Sequence, residues 1–298
     1  AKAQRNILQF GVYVTMFPQL IAGPILKYHQ VEKYLQERRV DLDEISYGAK
    51  RFVTGLAKKV LLANNLGMLW EQISSMEQAQ MSVLTAWLGI VAFAFQIYFD
   101  FSGYSDMAIG LGAVLGFHFP ENFNYPYIAT SVKDFWHRWH ISLSTWFKEY
   151  VYIPLGGNRR GQAVKIRNTI IVFALCGLWH GASWTYVLWG LYAAFFVSLE
   201  GVIRKPVRRF AARHGINLHH PLMVLARRIG MFFIFIPAAL LFRSQLIGQI
   251  GDLARTLVSG DFALSPALSA LGLNSASLAL LVLILCAMTR LHVWGEFD

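Results

Sequence analysis

Charge is what this sequence is short of: only 15% of its 298 residues are Asp, Glu, Lys or Arg, against about 25% in soluble domains. So few charges cannot furnish a water-facing surface, and a 55% hydrophobic content suits the chain to lipid. Cysteine is scarce as well. Cys176 and Cys286 both sit in apolar runs, which excludes a disulfide framework and a four-cysteine zinc site and leaves two packing residues. Also missing are a Walker loop, a G-x-S-x-G elbow, an H-E-x-x-H helix and a G-x-G-x-x-G fingerprint, so chemistry built on a bound nucleotide or a serine elbow has no support. The opening "AKAQRNILQF" has no initiator Met and no signal-peptide order, and a fragment lacking earlier membrane helices is expected.

What is abundant agrees with lipid. Twenty-two Phe and nine Trp suit lipid-facing surfaces and the headgroup level. The net charge of +10 fits a polytopic protein that gathers Lys and Arg in cytoplasmic loops, and no nucleic-acid partner is expected. The intervals between charges are long. Residues 6 to 26 read as a helix ending in a bent "FPQLIAGPI" segment, which lipid permits only where it is buried against protein or lines a cavity. Residues 31 to 50 read as a surface loop, and 47 to 70 as an interfacial helix with a basic face. Gln78 to Phe99 is a full span, joined through a "DFSGYSD" turn, with Asp100 and Asp106, to a second apolar run from Met107 to Pro120. An interfacial amphipathic helix is expected from Thr130 or Ser131 to about Tyr152, ended by Pro154 and Gly156-Gly157.

Asn168 to Leu199 is 32 residues without Asp, Glu, Lys or Arg, generous for one span and short for two at about 20 each. The "WHGASW" stretch is the expected break, since Gly181 and Ala182 allow close backbone approach. Twelve residues from Asn168 at 1.5 Å each place His180 roughly 18 Å into the membrane, near its middle. Residues 201 to 228 form the densest basic loop, cytoplasmic by the positive-inside rule. Helices over 230–242 and 262–289 complete an all-α polytopic membrane protein with no soluble module, and no internal repeat is evident.

Three histidines concentrate the chemistry. His137 and His140, at i and i+3 on a helix, share a face and would bind a metal only with ligands from elsewhere; headgroup-level packing among Trp136, Trp139 and Trp146 is the plainer role for His137. An imidazole buried in hydrocarbon is costly, so His180 is a functional candidate, with interhelical hydrogen bonding as its structural alternative. Asp100 and Asp106 would cap a helix, pair with Arg138 or bond a histidine's second nitrogen. Two other classes compete with an enzyme of this kind. Broken helices with a buried histidine also suit a secondary transporter with a midplane site, and His137, His140, His180 and His219-His220 would suit a metal or haem oxidoreductase.

"FWHRWHISLSTWFKEYVYIPLGGNR" (135–159) followed by "LCGLWHGASWTYVLWGLY" (175–192) resembles the membrane-bound O-acyltransferase superfamily. The likeness is to its bacterial branch, which includes the alginate O-acetyltransferase membrane subunit and the teichoic acid D-alanyl transferase. "FPQLIAGPI" (17–25) and "FQIYFDFSGYSDMAIGLGAVLGFHFPENFNYPY" (95–127) match the same branch, so the resemblance covers about the first two thirds of the chain. It implies one membrane domain over 1–298, with broken, re-entrant and interfacial helices around a central channel, in the bacterial inner membrane. It places the two motif histidines on His140 and His180, the second catalytic, and demands no histidine at 137, so that the opening pair is not a metal pair. The implied task is passing an acyl group from a cytoplasmic donor, acetyl coenzyme A, to a hydroxyl at or beyond the outer face. A periplasmic partner protein completes the transfer to a polysaccharide such as alginate. No permanently bound cofactor and no metal are implied, and D-alanyl or peptidoglycan acyl transfer by the same fold remains the alternative.

Overall fold

The computed structural model describes residues 5–77, 81–243 and 255–257, and these form helices and connecting segments with no strand. The protein is all-α. Among the described residues, three helices are long and apolar enough to cross a membrane, Val83–Val114, Trp184–Arg213 and Pro221–Phe242. The expected helix over 262–289 lies outside the described residues. The chain separates into two compact units, one drawn from Ala1–Gly67, Phe95–Asn124 and Trp136–Pro154, the other from Met68–Ala94, Tyr125–Phe135 and Leu155–Asp298.

In the first unit, helix α1 (Ile7–Thr15) starts where the Asn6 side chain accepts from the amides of Leu8 and Gln9. It stops at Met16, whose extended backbone precedes a short turn containing Pro18. The bent segment that follows is held from both sides. Tyr13 donates its hydroxyl to the Leu26 carbonyl at 2.7 Å, and Gln19 reaches back to the Tyr13 carbonyl at 2.7 Å. Met16 and Leu26 join Val31, Ile109, Phe117 and Phe119 in a buried cluster, so the irregular backbone is packed against protein while Phe17 and Ile21 stay exposed.

Residues 31–50 are not the expected loop. Helix α2 (Tyr28–Gln36) occupies the first part, and helix α3 (Leu42–Ala57) begins at Asp41, whose carboxylate caps the Glu44 amide at 2.8 Å. The acidic residues that looked like surface loop, Asp43 and Glu44, lie in the first turn of α3, where the helix dipole favours them. A π-helical stretch over Lys58–Ala63 leads into α4 (Asn64–Ser74).

The expected "DFSGYSD" turn is also absent. Helix α5 runs unbroken from Val83 to Val114, 32 residues or about 48 Å. Ser and Gly suggest a turn when read locally, yet here they serve close helix approach. A Cβ at Gly103 would stand 2.7 Å from the Gly55 carbonyl, and one at Gly110 would stand 2.5 Å from that of Gly48. Two glycines spaced seven apart on α3 thus meet two on α5, the small-residue contact by which apolar helices approach. Asp106 does not cap. Its buried carboxylate receives Lys58 at 2.6 Å and Arg51 at 2.6 Å, and Arg51 also reaches Glu121 at 2.6 Å. Asp100 pairs with Lys59.

The single interfacial helix expected over 130–152 is two helices, α6 (Val132–Arg138) and α7 (Ile141–Phe147), followed by a π-helical turn over Lys148–Tyr152. The interruption at His140 is compensated by neighbouring backbone. The Asn124 amide donates to the Arg138 carbonyl at 2.9 Å, and the Asn122 carbonyl accepts from the Ile141 amide at 2.9 Å.

In the second unit, α8 (Gln162–His180) and α9 (Trp184–Arg213) form a hairpin broken at Gly181, where the break is expected. The stretch accommodates two helices because α8 begins six residues before Asn168 and α9 continues fourteen past Leu199. The region 201–228 is therefore mostly not loop: Arg204, Lys205, Arg208, Arg209 and Arg213 lie on α9, and Arg227 and Arg228 on α10 (Pro221–Arg243). These last two arginines have structural work. Arg227 donates to the Thr130 carbonyl at 3.0 Å and Arg228 to that of Ile128 at 3.2 Å.

Two outcomes follow for stability in detergent. Gly103→Ala should lower the unfolding temperature, at a cost of about 1–3 kcal/mol for overpacking; Gly11→Ala, where a Cβ meets nothing within 4 Å, should not. Equal unfolding temperatures for the two variants would contradict the close approach of α3 and α5. Asp106→Ala, which strands Lys58 and leaves Arg51 with Glu121 alone, should cost about 3–5 kcal/mol, with partial recovery in Asp106→Ala/Lys58→Met. Full stability of the single variant would remove the ion pairs from the account of the fold.

Candidate active site

His140 and His180 fall in different units. His140 is 6% exposed and occupies the N-cap position of α7 with left-handed backbone, φ 44° and ψ 57°. A non-glycine residue holds that conformation only where its surroundings fix it. Its side chain makes no capping bond. The ring instead places Nδ1 3.1 Å from Oδ1 of Asn122 and meets the Phe101 ring edge-to-face with centroids 4.7 Å apart.

Asn122 is the centre of this arrangement and is fully buried. Its Oδ1 accepts from the Ser142 amide at 3.2 Å and the Ser142 hydroxyl at 2.8 Å, and its Nδ2 donates to Ser105 Oγ at 3.1 Å. Ser142 Oγ accepts in turn from the Ile25 amide at 3.0 Å, so the bent N-terminal segment closes the cluster. His137, in contrast, is exposed on the last turn of α6. Because the helix breaks between them, His137 and His140 do not share a helical face, and the expected i, i+3 geometry is lost.

His180 is the last residue of α8. Its Nδ1 lies 2.7 Å from the carbonyl oxygen of Cys176, one helical turn back. A carbonyl only accepts, so Nδ1 carries the hydrogen and the ring's lone pair falls on Nε2. Trp179, Trp189 and Phe242 stand edge-on to the half-buried imidazole, with centroids 4.8, 5.0 and 5.3 Å away. The glycines of "CGLWHG" and Gly190 of α9 make this possible. A Cβ at Gly177 would strike the Tyr186 backbone, one at Gly190 the Phe173 carbonyl, and one at Gly181 the Tyr186 ring. The hairpin closes tightly enough to bring Trp189 of α9 against His180 of α8.

Before α8, the "IPLGGNRRG" loop turns through positive φ at Gly156, Gly157 and Gly161. Fully buried Asn168 ties it down, donating to the Leu155 carbonyl at 3.2 Å and the Gly157 carbonyl at 3.0 Å. Arg167 is spent on Asn168 Oδ1 at 2.9 Å, whereas Arg159 and Arg160 are exposed. Asn122 and Asn168 are the residues that reasoning from the sequence passes over. The available signal was an amide side chain beside apolar and aromatic neighbours, in "ENFNYPY" and "RNTIIVF", where a polar group needs a partner if it is buried.

Known proteins resemble this chain along most of its length. A family model described as MBOAT, membrane-bound O-acyltransferase family, matches residues 3–242. A protein of Pseudomonas syringae pv. tomato named a probable alginate O-acetylase is 40% identical over 277 residues, covering 93% of this chain and 50% of that protein. The peptidoglycan O-acetyltransferase of Helicobacter pylori is 40% identical over 208 residues, 69% of this chain and 39% of its own. The teichoic acid D-alanyltransferase of Bacillus subtilis is 29% identical over 222 residues, 68% of this chain and 54% of its own. The chain thus spans about half the length of the curated relatives it matches.

Proposed function

The chain belongs to the membrane-bound O-acyltransferase family, and on that premise we propose that it carries the histidines of a membrane-embedded O-acyltransferase, with His180 as general base and His140 assisting. The observation that carries this reading is the 2.7 Å contact from His180 Nδ1 to the Cys176 carbonyl. It leaves Nε2 unprotonated among aromatic rings, the form a general base requires.

In the proposed reaction, the oxygen of an acceptor hydroxyl attacks the carbonyl carbon of a thioester while its proton passes to His180 Nε2. The carbon–sulfur bond then breaks, and the proton returns from Nε2 to the leaving thiolate. The indole N–H groups of nearby Trp residues or backbone amides near Gly181 would offset the tetrahedral oxyanion. Acetyl coenzyme A is the proposed donor, reached from the cytoplasm through a channel in the protein. Arg159 and Arg160, exposed at the "GGNRRG" loop, and the basic end of α9 suit its phosphates as well as they suit orientation in the membrane. The bacterial inner membrane is the proposed location, with the basic end of α9 cytoplasmic. A periplasmic protein would pass the acetyl group to a polysaccharide.

An alginate-like exopolysaccharide is the favoured acceptor, since the Pseudomonas syringae relative named an alginate O-acetylase aligns over 93% of the chain. Peptidoglycan is the second reading, favoured by the 40% identity to the Helicobacter pylori enzyme. His180→Ala should abolish transfer, at least about 10²-fold, at wild-type levels of membrane-inserted protein. The measurement is ester-linked acetyl content of exopolysaccharide and peptidoglycan in cells complemented with each variant. Wild-type acetylation with His180→Ala would refute the base assignment, and D-alanyl esters in place of acetyl would refute the donor. His140→Ala should also cause a strong loss; activity within a few-fold of wild type would reduce His140 to packing.

A further inference from the structure

Three donors converge on one atom beside His140, and that convergence decides where the imidazole proton resides. The atom is Oδ1 of Asn122, approached by the Ser142 amide at 3.2 Å, the Ser142 hydroxyl at 2.8 Å and His140 Nδ1 at 3.1 Å. A backbone N–H can only donate, so the group it faces is the amide oxygen and the side-chain orientation of Asn122 is settled without appeal to the histidine. The opposite end agrees, because the Asn122 NH2 finds an acceptor in Ser105 Oγ at 3.1 Å. The Ser142 oxygen accepts from the Ile25 amide at 3.0 Å, and its hydrogen goes to the nearer acceptor, Asn122 Oδ1 at 2.8 Å, with His140 Nδ1 farther off at 3.5 Å. Facing an oxygen that can only accept, His140 Nδ1 must be the protonated nitrogen.

We infer that Asn122 is a positioning residue for acyl transfer, holding His140 in the Nδ1–H tautomer so that Nε2 presents the lone pair. The inference deepens the reading of His140 given above and rests on it for its functional consequence. The tautomer itself is independent of that reading.

The main chain supports the assignment. Asn122 also accepts the Ile141 amide on its backbone carbonyl at 2.9 Å, and the Asn124 amide binds the Arg138 carbonyl at 2.9 Å. The segment 122–124 is therefore inserted into the break between α6 and α7. One short stretch opens that break and, through a fully buried side chain, grips the ring at its centre. Here the carbonyl oxygen is shared between the histidine and the serine two residues after it. The result is the same tautomer that the Cys176 carbonyl imposes on His180, reached in the other unit by an unrelated device. Both family histidines would then offer Nε2 in its unprotonated form.

The test is nitrogen-15 NMR of the full-length protein in nanodiscs, labelled at histidine, with His140→Gln used to assign the ring. At a pH where the ring is neutral, the wild-type protein should show a protonated Nδ1 and an unprotonated Nε2 for His140. The reverse tautomer would overturn the inference without any variant. In Asn122→Ala the ring should lose its single tautomer, and acetyl transfer should fall about 10- to 100-fold, the range for loss of a group that orients a functional histidine. A variant that keeps both the Nδ1–H tautomer and full transfer would also overturn it. If His140→Ala alone retains full transfer, the proposed role of His140 fails, while the tautomer measurement still stands or falls on its own.

Discussion

A polar backbone group taken out of water must find a partner within the protein, and an unpaired one costs free energy comparable to a lost hydrogen bond. For a chain this apolar, that constraint governs where helices continue and where they are allowed to stop. Helix α5 continues through Ser102 and Gly103 because intrahelical bonding satisfies its backbone while the missing glycine side chains let α3 approach. Each interruption has its compensation. The bend after α1 is pinned by Tyr13 and Gln19, and the gap between α6 and α7 is filled by residues 122–124.

The functional candidates are found at interruptions. His140 sits between α6 and α7 and His180 at the end of α8, positions where helical packing no longer dictates how a side chain must lie. A histidine inside a regular transmembrane helix would point at lipid or at a neighbouring ridge. At a break its ring can be gripped by one nitrogen, which fixes the proton there and puts the lone pair on the other. An accepting carbonyl does this in each place, from a side-chain amide for His140 and from the main chain for His180. Imidazole is suited to the arrangement because its two nitrogens are coupled: protonating one leaves the lone pair on the other.

The buried ion pairs of the first unit serve a different end. Asp106 draws Lys58 and Arg51 to α5, and Arg51 extends the network to Glu121. These groups bind one helix to another. They account for carboxylates that, seen only as letters beside apolar runs, looked like helix caps or partners of a histidine. Charge in an apolar setting is tolerated where it is paired and hydrogen-bonded, and a second helix supplies the pairing.

Much of this was legible in the residue order, for reasons that are local. The scarcity of charge and the length of the apolar runs determined an all-α membrane protein, since a bilayer leaves the backbone few other choices. The bent "FPQLIAGPI" segment and the break at "WHGASW" were readable because proline and glycine act on their own turn of chain. His180 was readable as a functional candidate because an ionisable group among apolar residues is expensive wherever it falls. What the tertiary structure alone decided are relations between residues distant in sequence: Gly55 against Gly103, Arg51 and Lys58 on Asp106, Ile25 on Ser142, and Asn122 on His140. The break at His140 belongs with them. No proline or glycine marks it, and it persists because segment 122–124 supplies the hydrogen bonds that a continuous helix would otherwise have made with itself.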